Sequence, residues 1–149
     1  MKREIEKSIS IYKILEREKM TVKICWVSRH PPLPVQLKVL GEKLGEYQLI
    51  HINRTFRRAD EVLSEVKSHN AKYAVVVLPL SMIAELVKDK SITWLWAEMR
   101  ALHECTMPCP EFNSETDVWL PLRGSSKGRH MRFVRFRRIV KVELVLEDW

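Results

Sequence analysis

The sequence lacks the glycine patterns that mark the common nucleotide-binding loops. It has only four glycines in 149 residues. None of them lies in the loop directly after the first predicted strand, where a dinucleotide-binding G-x-G-x-x-G motif would stand. A phosphate-binding G-x-x-x-x-G-K-[ST] motif is also absent. Any ligand-binding site therefore has to be inferred from other residues, and the sequence predicts no cofactor.

Long apolar runs and abundant cysteine are missing as well. No run approaches the ~20 apolar residues of a membrane span, and residues 1–20 carry charges where a secretory signal would be apolar. Three cysteines, an odd and low number, suit a reducing compartment. We therefore expect a soluble cytoplasmic protein with no membrane partner. Asn occurs three times and Gln twice, beside abundant Lys, Arg and Glu, which favours a heat-adapted composition.

Positive charge is concentrated near the C-terminus. The chain has 26 basic and 19 acidic residues. Residues 122–142 contain no Asp or Glu, and they contain these eight basic residues: Arg123, Lys127, Arg129, Arg132, Arg135, Arg137, Arg138 and Lys141. The rest of the chain is nearly balanced. Such a patch attracts nucleic acid, an anionic ligand or an acidic protein surface.

Residues 73–78 form an uninterrupted apolar run, typical of a strand buried on both faces. Further strands are predicted at 21–28, 47–52 and 92–96, and helices at 34–44, 57–69 and 81–88. This alternation predicts an α/β fold, a Rossmann-like three-layer sandwich with a mostly parallel sheet. Residues 21–149 would form that single domain, preceded by a charged helix or arm at 1–20.

The segment after residue 96 is harder to assign. Residues 98–104 fit a short helix, and 118–120 fit a brief strand. Residues 131–146 alternate apolar and polar side chains with period two, which indicates a half-exposed strand. We expect it to be antiparallel, either at the edge of the sheet or folded into a hairpin.

Polar side chains follow the predicted strands at their carboxyl ends, where ligands bind in open α/β sheets. We call this predicted site the strand-end rim. Arginines and hydroxyl or amide groups beside helix N-termini suit a phosphate or another anion. Its candidate ligand-binding residues are Ser28, Arg29, His30, Asn53, Arg54, Thr55, Ser81 and Arg100. His30 is also a candidate general acid or base, although a loop histidine beside two prolines is more often a surface residue.

A second candidate site is a short run of metal-binding residue types. His103, Cys105 and Cys109 are zinc ligands by type, and one loop can supply several of them. A structural site normally has four ligands, so Glu111 or His130 would have to complete it. The zinc-deaminase spacing is absent. Free thiols are the alternative interpretation.

The basic C-terminal strand has two interpretations. In the first, it binds phosphates, and Phe133 and Phe136 stack on bases if they are exposed. Phe136 lies on the apolar face of the strand, however, which is more typical of a core residue. The candidate nucleic-acid-binding residues are Lys127, Arg129, Arg132, Arg135, Arg137 and Lys141. In the second, these cations pair with acidic residues, protect an edge strand or contact a second subunit.

We therefore expect a small protein that binds a nucleotide or nucleic acid through the basic strand and the strand-end rim. One alternative is an enzyme that acts on phosphoesters or nucleotides with His30. The other is a structural or interaction module that forms a homodimer without catalysis.

Overall fold

The computed structural model describes the backbone of residues 1–149 and the side chains of residues 1–15 and 21–149. Helices and strands alternate in its first half, and strands follow in its second half. Their order is α1 (Lys2–Met20), β1 (Val22–Val27), α2 (Pro34–Leu44), β2 (Tyr47–Ile52), α3 (Ala59–Ser68), β3 (Tyr73–Val76), α4 (Leu80–Leu86), β4 (Thr93–Cys105), β5 (Asp117–Pro121) and β6 (Gly128–Arg138).

The six strands form one mostly parallel sheet in the order β2-β1-β3-β4-β6-β5. The first four are parallel to one another, and β6 pairs antiparallel with both β4 and β5. The strand order reverses at β1, because the chain moves from β1 to β2 on one side and later to β3 on the other. An α/β sheet has its ligand crevice at such a reversal, beyond the carboxyl ends of the strands.

Apolar clusters lie on both faces of the parallel strands. Ile24 and Trp26 of β1 pack with Leu40 of α2 on one face. Cys25 and Val27 alternate with them and pack with α3 and α4 on the other face. Burial on both faces explains why β1 and β3 are apolar without interruption.

The sheet is curled and resembles half a barrel, so the predicted Rossmann-like three-layer sandwich is not confirmed. The backbone N–H of Val35, at the start of α2, donates to the carbonyl of Glu115, just before β5. The far edge of the sheet therefore lies close to the first turn of α2. What the structure supports is a mixed α/β fold with this sheet and four helices.

Two predictions for the second half were wrong. Residues 98–104 belong to β4 and not to a helix, because their backbone pairs with β6. The basic strand spans Gly128–Arg138 and not 131–146, and β5 pairs with its first part, residues 128–132. Residues 139–149 follow without helix or strand, although Ile139 and Val142 still pack on the core.

The predicted charged segment at 1–20 is a helix, α1. The side chains of residues 1–15 are all exposed, including the large apolar side chains of Ile5 and Ile9. Among the described residues, no helix combines the length and the apolar character that a membrane crossing requires.

Candidate functional site

Strands β4 and β6 present an exposed basic face. Trp96 lies directly opposite Arg137, and Glu98 lies opposite Arg135. Side chains of residues that face each other across antiparallel strands project from the same side of the sheet. Trp96 is 43% exposed, and both arginine side chains are at least 60% exposed. We call these four residues the basic face.

One carboxylate on the basic face pairs with two guanidinium groups. Nε of Arg135 donates to Oε2 of Glu98 at 2.7 Å, and Nη1 of Arg137 lies 3.5 Å from Oε1 of Glu98. The hydrogen bond from Arg135 lowers the pKa of Glu98 below its usual value. Glu98 is therefore ionised at neutral pH, and the three side chains together keep one net positive charge.

The aromatic partner of these arginines was not the one expected. Phe133 is buried, and its ring centroid lies 4.9 Å from that of Phe136. Phe136 in turn packs edge-on against Trp26 at 6.1 Å. Phe136 is only partly exposed, whereas Trp96 is exposed. Trp96 was not among the predicted site residues, because residues 92–96 have the pattern of one apolar strand and only the pairing with β6 reveals the surroundings of Trp96.

The other predicted nucleic-acid-binding residues divide into two groups. Arg132 donates to the buried Asp117, and Lys141 lies 2.7 Å from Glu143. Lys127 and Arg129 are exposed, and no described carboxylate lies within ion-pair distance of either. Arg132 therefore has a structural partner, while Lys127 and Arg129 add unpaired charge near the start of β6.

The residues of the predicted strand-end rim lie in several different surroundings. Arg29 donates to the hydroxyl of Thr55, and the guanidinium of Arg54 lies 4.4 Å from the centroid of the Phe56 ring. Asn53 is exposed in the same loop after β2. Ser81 lines a separate cavity with Arg57, between α3 and α4.

Arg100 was expected to follow the fourth strand and so to belong to the rim. It lies instead within β4, opposite Arg132 of β6. This position follows from the extension of β4 to Cys105. The fourth strand therefore contributes no loop arginine to the rim.

Two rim residues, Ser28 and His30, line a cavity of about 360 Å³ at the ends of β1 and β3. We call it the switch-point cleft. Its other walls are mainly apolar, with Leu33, Met99 and Leu120 among them, and no Lys or Arg with a described side chain lines it. The buried Gln36 is already engaged, since its Oε1 accepts from the N–H of Leu33 at 2.8 Å. The cleft therefore suits an apolar or aromatic group better than a phosphate.

The predicted metal-binding residues lie together at the far end of β4. One ligand atom from each of His103, Cys105, Cys109 and His130 lies within 4.8 Å of the other three. We call these residues the His–Cys cluster. Of the two expected fourth ligands, His130 joins the cluster. Glu111 lies behind His103 instead, with Oε2 at 3.3 Å from Nδ1.

Comparison with protein-family models, with curated proteins and with solved structures finds no match to this chain.

Proposed function

We propose that the chain binds single-stranded nucleic acid on the basic face. The observation that carries this proposal is the exposed indole of Trp96 directly opposite Arg137, with Arg135 two residues further along β6. Proteins that bind single strands combine aromatic platforms for the bases with cations for the phosphates. Trp96 would stack on a base, and the two arginines would contact the phosphates on either side.

The distribution of charge supports the same function. The chain carries a net charge of +7. Lys127, just before β6, and Arg129, within it, have no ion-pair partner among the described residues, and the same strand carries Arg135 and Arg137. An excess of positive charge on one strand attracts polyanions over a long range. Duplex nucleic acid offers no unstacked bases to Trp96, so we expect weaker binding to a duplex than to a single strand of the same length.

The test is fluorescence anisotropy with a labelled single-stranded oligonucleotide across a salt series. Trp96→Ala should weaken binding about 5- to 150-fold, because stacking contributes ~1–3 kcal/mol per base. Arg137→Gln should reduce the slope of log affinity against log salt by about 0.7, the value expected for one lost phosphate contact on a single strand.

Two control variants separate this site from general effects of charge and folding. Trp96→Phe keeps an aromatic ring and should retain most of the affinity. Arg58→Gln removes one exposed positive charge from the start of α3 and should change the affinity little. Absence of binding at low salt, or equal binding by natural protein and Trp96→Ala, would contradict the proposal.

A second candidate function is an enzyme acting in the switch-point cleft. The observation that favours it is the position of His30 on the cleft wall, where Trp26 Nε1 donates to the His30 carbonyl at 2.8 Å. In this alternative His30 acts as general acid or base on a nucleotide or phosphoester whose apolar part fills the cleft. Turnover that persists in a folded His30→Ala variant would exclude it.

The third alternative is a homodimer without catalysis. Light scattering over a concentration series tests it, and a monomer at every concentration would contradict it.

The heat-adapted composition likewise stays a prediction, which the midpoint of thermal unfolding tests.

A further inference from the structure

The register of β4 and β6 aligns three members of the His–Cys cluster. His103 lies opposite His130, and Cys105 lies opposite Gly128. His103 and Cys105 are two residues apart on one strand, so they project from the same face. A β-bulge between Ala101 and His103 sets this register. The pairing of two strands thus supplies three ligand-type side chains.

The fourth member, Cys109, comes from the loop after β4. Its Sγ lies 3.4 Å from Nε2 of His103, and that nitrogen lies 3.4 Å from Nδ1 of His130. A tetrahedral zinc ion with Zn–N bonds of ~2.0–2.1 Å and Zn–S bonds of ~2.3 Å spaces its ligands about 3.3–3.8 Å apart. Because the largest separation here is within 4.8 Å, closure around an ion needs a movement of about 1 Å.

Both imidazoles have a carboxylate on the nitrogen that points away from the cluster. Nε2 of His130 lies 2.6 Å from Oδ2 of Asp117, and Nδ1 of His103 lies 3.3 Å from Oε2 of Glu111. Metal-binding histidines usually donate their second N–H to such a group, which fixes the tautomer and the ring orientation. His130 therefore offers the lone pair of Nδ1 to the centre of the cluster, and His103 offers the lone pair of Nε2.

The backbone around the cluster is also held in place. The indole Nε1 of Trp119 donates to the carbonyl of Cys105 at 2.9 Å. The same indole lies over Gly128, where a Cβ atom would overlap it. Glycine opposite Cys105 thus lets Trp119 cover the end of the strand pair.

This part of the chain lacks an apolar core of its own. In residues 102–132, all of which have described side chains, the buried residues are Asp117, Gly128 and His130. Hydrophobic burial is the usual source of stability, and here it is replaced by a polar cluster. Small units of this kind commonly use a structural metal.

We propose that His103, Cys105, Cys109 and His130 bind one Zn²⁺ as a structural site. Two thiolates and two imidazoles are a donor set that selects zinc among the common divalent metals. On binding, each thiol loses its proton to solvent, and the ion takes two S–Zn and two N–Zn bonds. Four protein ligands complete the tetrahedron and leave no position for water or substrate. The ion would join β4 and β6 to the loop at 106–116.

The first test is the metal content of tag-free protein purified under reducing conditions from zinc-supplemented cells. We expect about one zinc per chain, as a four-ligand site requires. Removal by a chelator should lower the unfolding temperature, and added Zn²⁺ should restore it. Co²⁺ in place of zinc should give the visible bands of a tetrahedral cobalt thiolate. Protein that contains no zinc and shows neither the thermal shift nor the cobalt spectrum would overturn the proposal.

Variants locate the ion. Cys105→Ser and Cys109→Ser should each lose the zinc and the cobalt thiolate spectrum. Cys25→Ala is the matched control, because Cys25 is completely buried in the core beneath α3 and α4. This substitution should destabilise the fold without changing the cluster, so the variant protein should keep its zinc. Loss of zinc from Cys25→Ala, or its retention in both serine variants, would contradict the site.

Thiol alkylation gives an independent readout. Burial raises the pKa of the Cys25 thiol to about 11, so Cys25 should react only after unfolding. Cys105 and Cys109 are partly exposed and should react in metal-free protein but not in zinc-loaded protein. A Cys105–Cys109 disulfide that forms in air, combined with no zinc uptake after reduction, would identify a redox pair and overturn the proposal. Stoichiometric iron in place of zinc would also overturn it.

Discussion

Oδ2 of Asp117 lies 2.6 Å from Nε2 of His130, and both side chains are completely buried. Arg132 donates two further hydrogen bonds to the same carboxylate, at 2.7 and 3.0 Å. Its guanidinium is the main reason why the pKa of Asp117 is held far below its usual range. The backbone N–H of Asn113 and the hydroxyl of Thr116 also donate to Asp117. This one carboxylate therefore joins β5, β6 and the loop before them.

Asp117→Asn should destabilise the protein by about 2 kcal/mol or more, because a buried hydrogen bond to a charged group contributes ~1.5–3 kcal/mol and Asp117 makes several. It should also weaken zinc binding about 10- to 100-fold, the usual effect of losing a carboxylate behind a metal-binding histidine. Chemical unfolding and competition with a zinc chelator measure the two effects. Asp60→Asn, which removes an exposed ion pair with Arg58, is the control and should cost less than about 0.5 kcal/mol.

Gly128→Ala should displace Trp119, because the new methyl group would overlap the indole. Overpacking of this kind costs about 1–3 kcal/mol. The matched control is Gly41→Ala in α2, where the added methyl group meets only Tyr47 at an ordinary 3.7 Å. Alanine is the better helix former by about 0.8–1 kcal/mol. The midpoint of thermal unfolding should therefore fall for Gly128→Ala and rise for Gly41→Ala. Equal shifts for the two variants would contradict this packing.

Glu98→Gln should strengthen binding of single-stranded nucleic acid. Glu98 is the shared partner of Arg135 and Arg137, and its neutral replacement leaves both cations free for phosphates. We expect an affinity gain that is largest at low salt and disappears as screening increases. Anisotropy titrations at several salt concentrations measure it. Glu143→Gln, beside Lys141 and outside the basic face, is the control. Weaker binding by Glu98→Gln would argue against the basic face as the site.

Asp89 should make stability depend on acidity between about pH 2 and pH 4. The hydrogen bond from Lys67, followed by those from Ser91, lowers the pKa of Asp89 to about 2. A depressed carboxyl pKa stabilises the fold above the unfolded value of ~3.9, and this contribution disappears as pH falls through the folded value.

Asp89→Asn should therefore be less stable than the natural chain at neutral pH, by about 1 kcal/mol or less because Lys67 is half exposed. The difference should shrink as pH falls from 4 to 2. Denaturant unfolding at a series of pH values measures it. A difference that stays constant over this range would show that Asp89 does not act through its charge.

Removal of residues 2–15 should leave the folded body unchanged. Every side chain in this stretch is exposed, and deletion of exposed surface usually costs little. The shortened chain should keep its circular dichroism spectrum and its unfolding midpoint. A fall of more than about 4–8 °C, the equivalent of ~1 kcal/mol in a small domain, would mean that α1 docks on the body.

Local signals predicted the first half of the fold well. Pro34 begins α2 and Gly45, with φ of +72°, ends it, because each residue has one favoured place in a helix. Strand β2 and the buried β3 were also found from their patterns, although β3 ends at Val76 and not at residue 78. Helices and strands alternate in this half of the chain, and the spacing of apolar side chains within each segment is enough to identify it.

The second half could not be predicted in the same way. Residues 97–105 mix alanine, charges and apolar side chains, so neither helix nor strand period is clear. Pairing with β6 makes them a strand, and that partner is distant in the sequence. The exposure of Trp96 depends on the same pairing, which explains why Phe133 and Phe136 were chosen in its place.

The sequence by itself determined the α/β class, the concentration of basic residues near the C-terminus and the identity of three of the four cluster residues. Tertiary structure decided the rest. Pairing with β6 placed Arg100 within β4, and the bulge before His103 brought His130 rather than Glu111 to the cysteines. Local patterns depend on neighbouring residues, whereas a site depends on which distant strands pair and in which register.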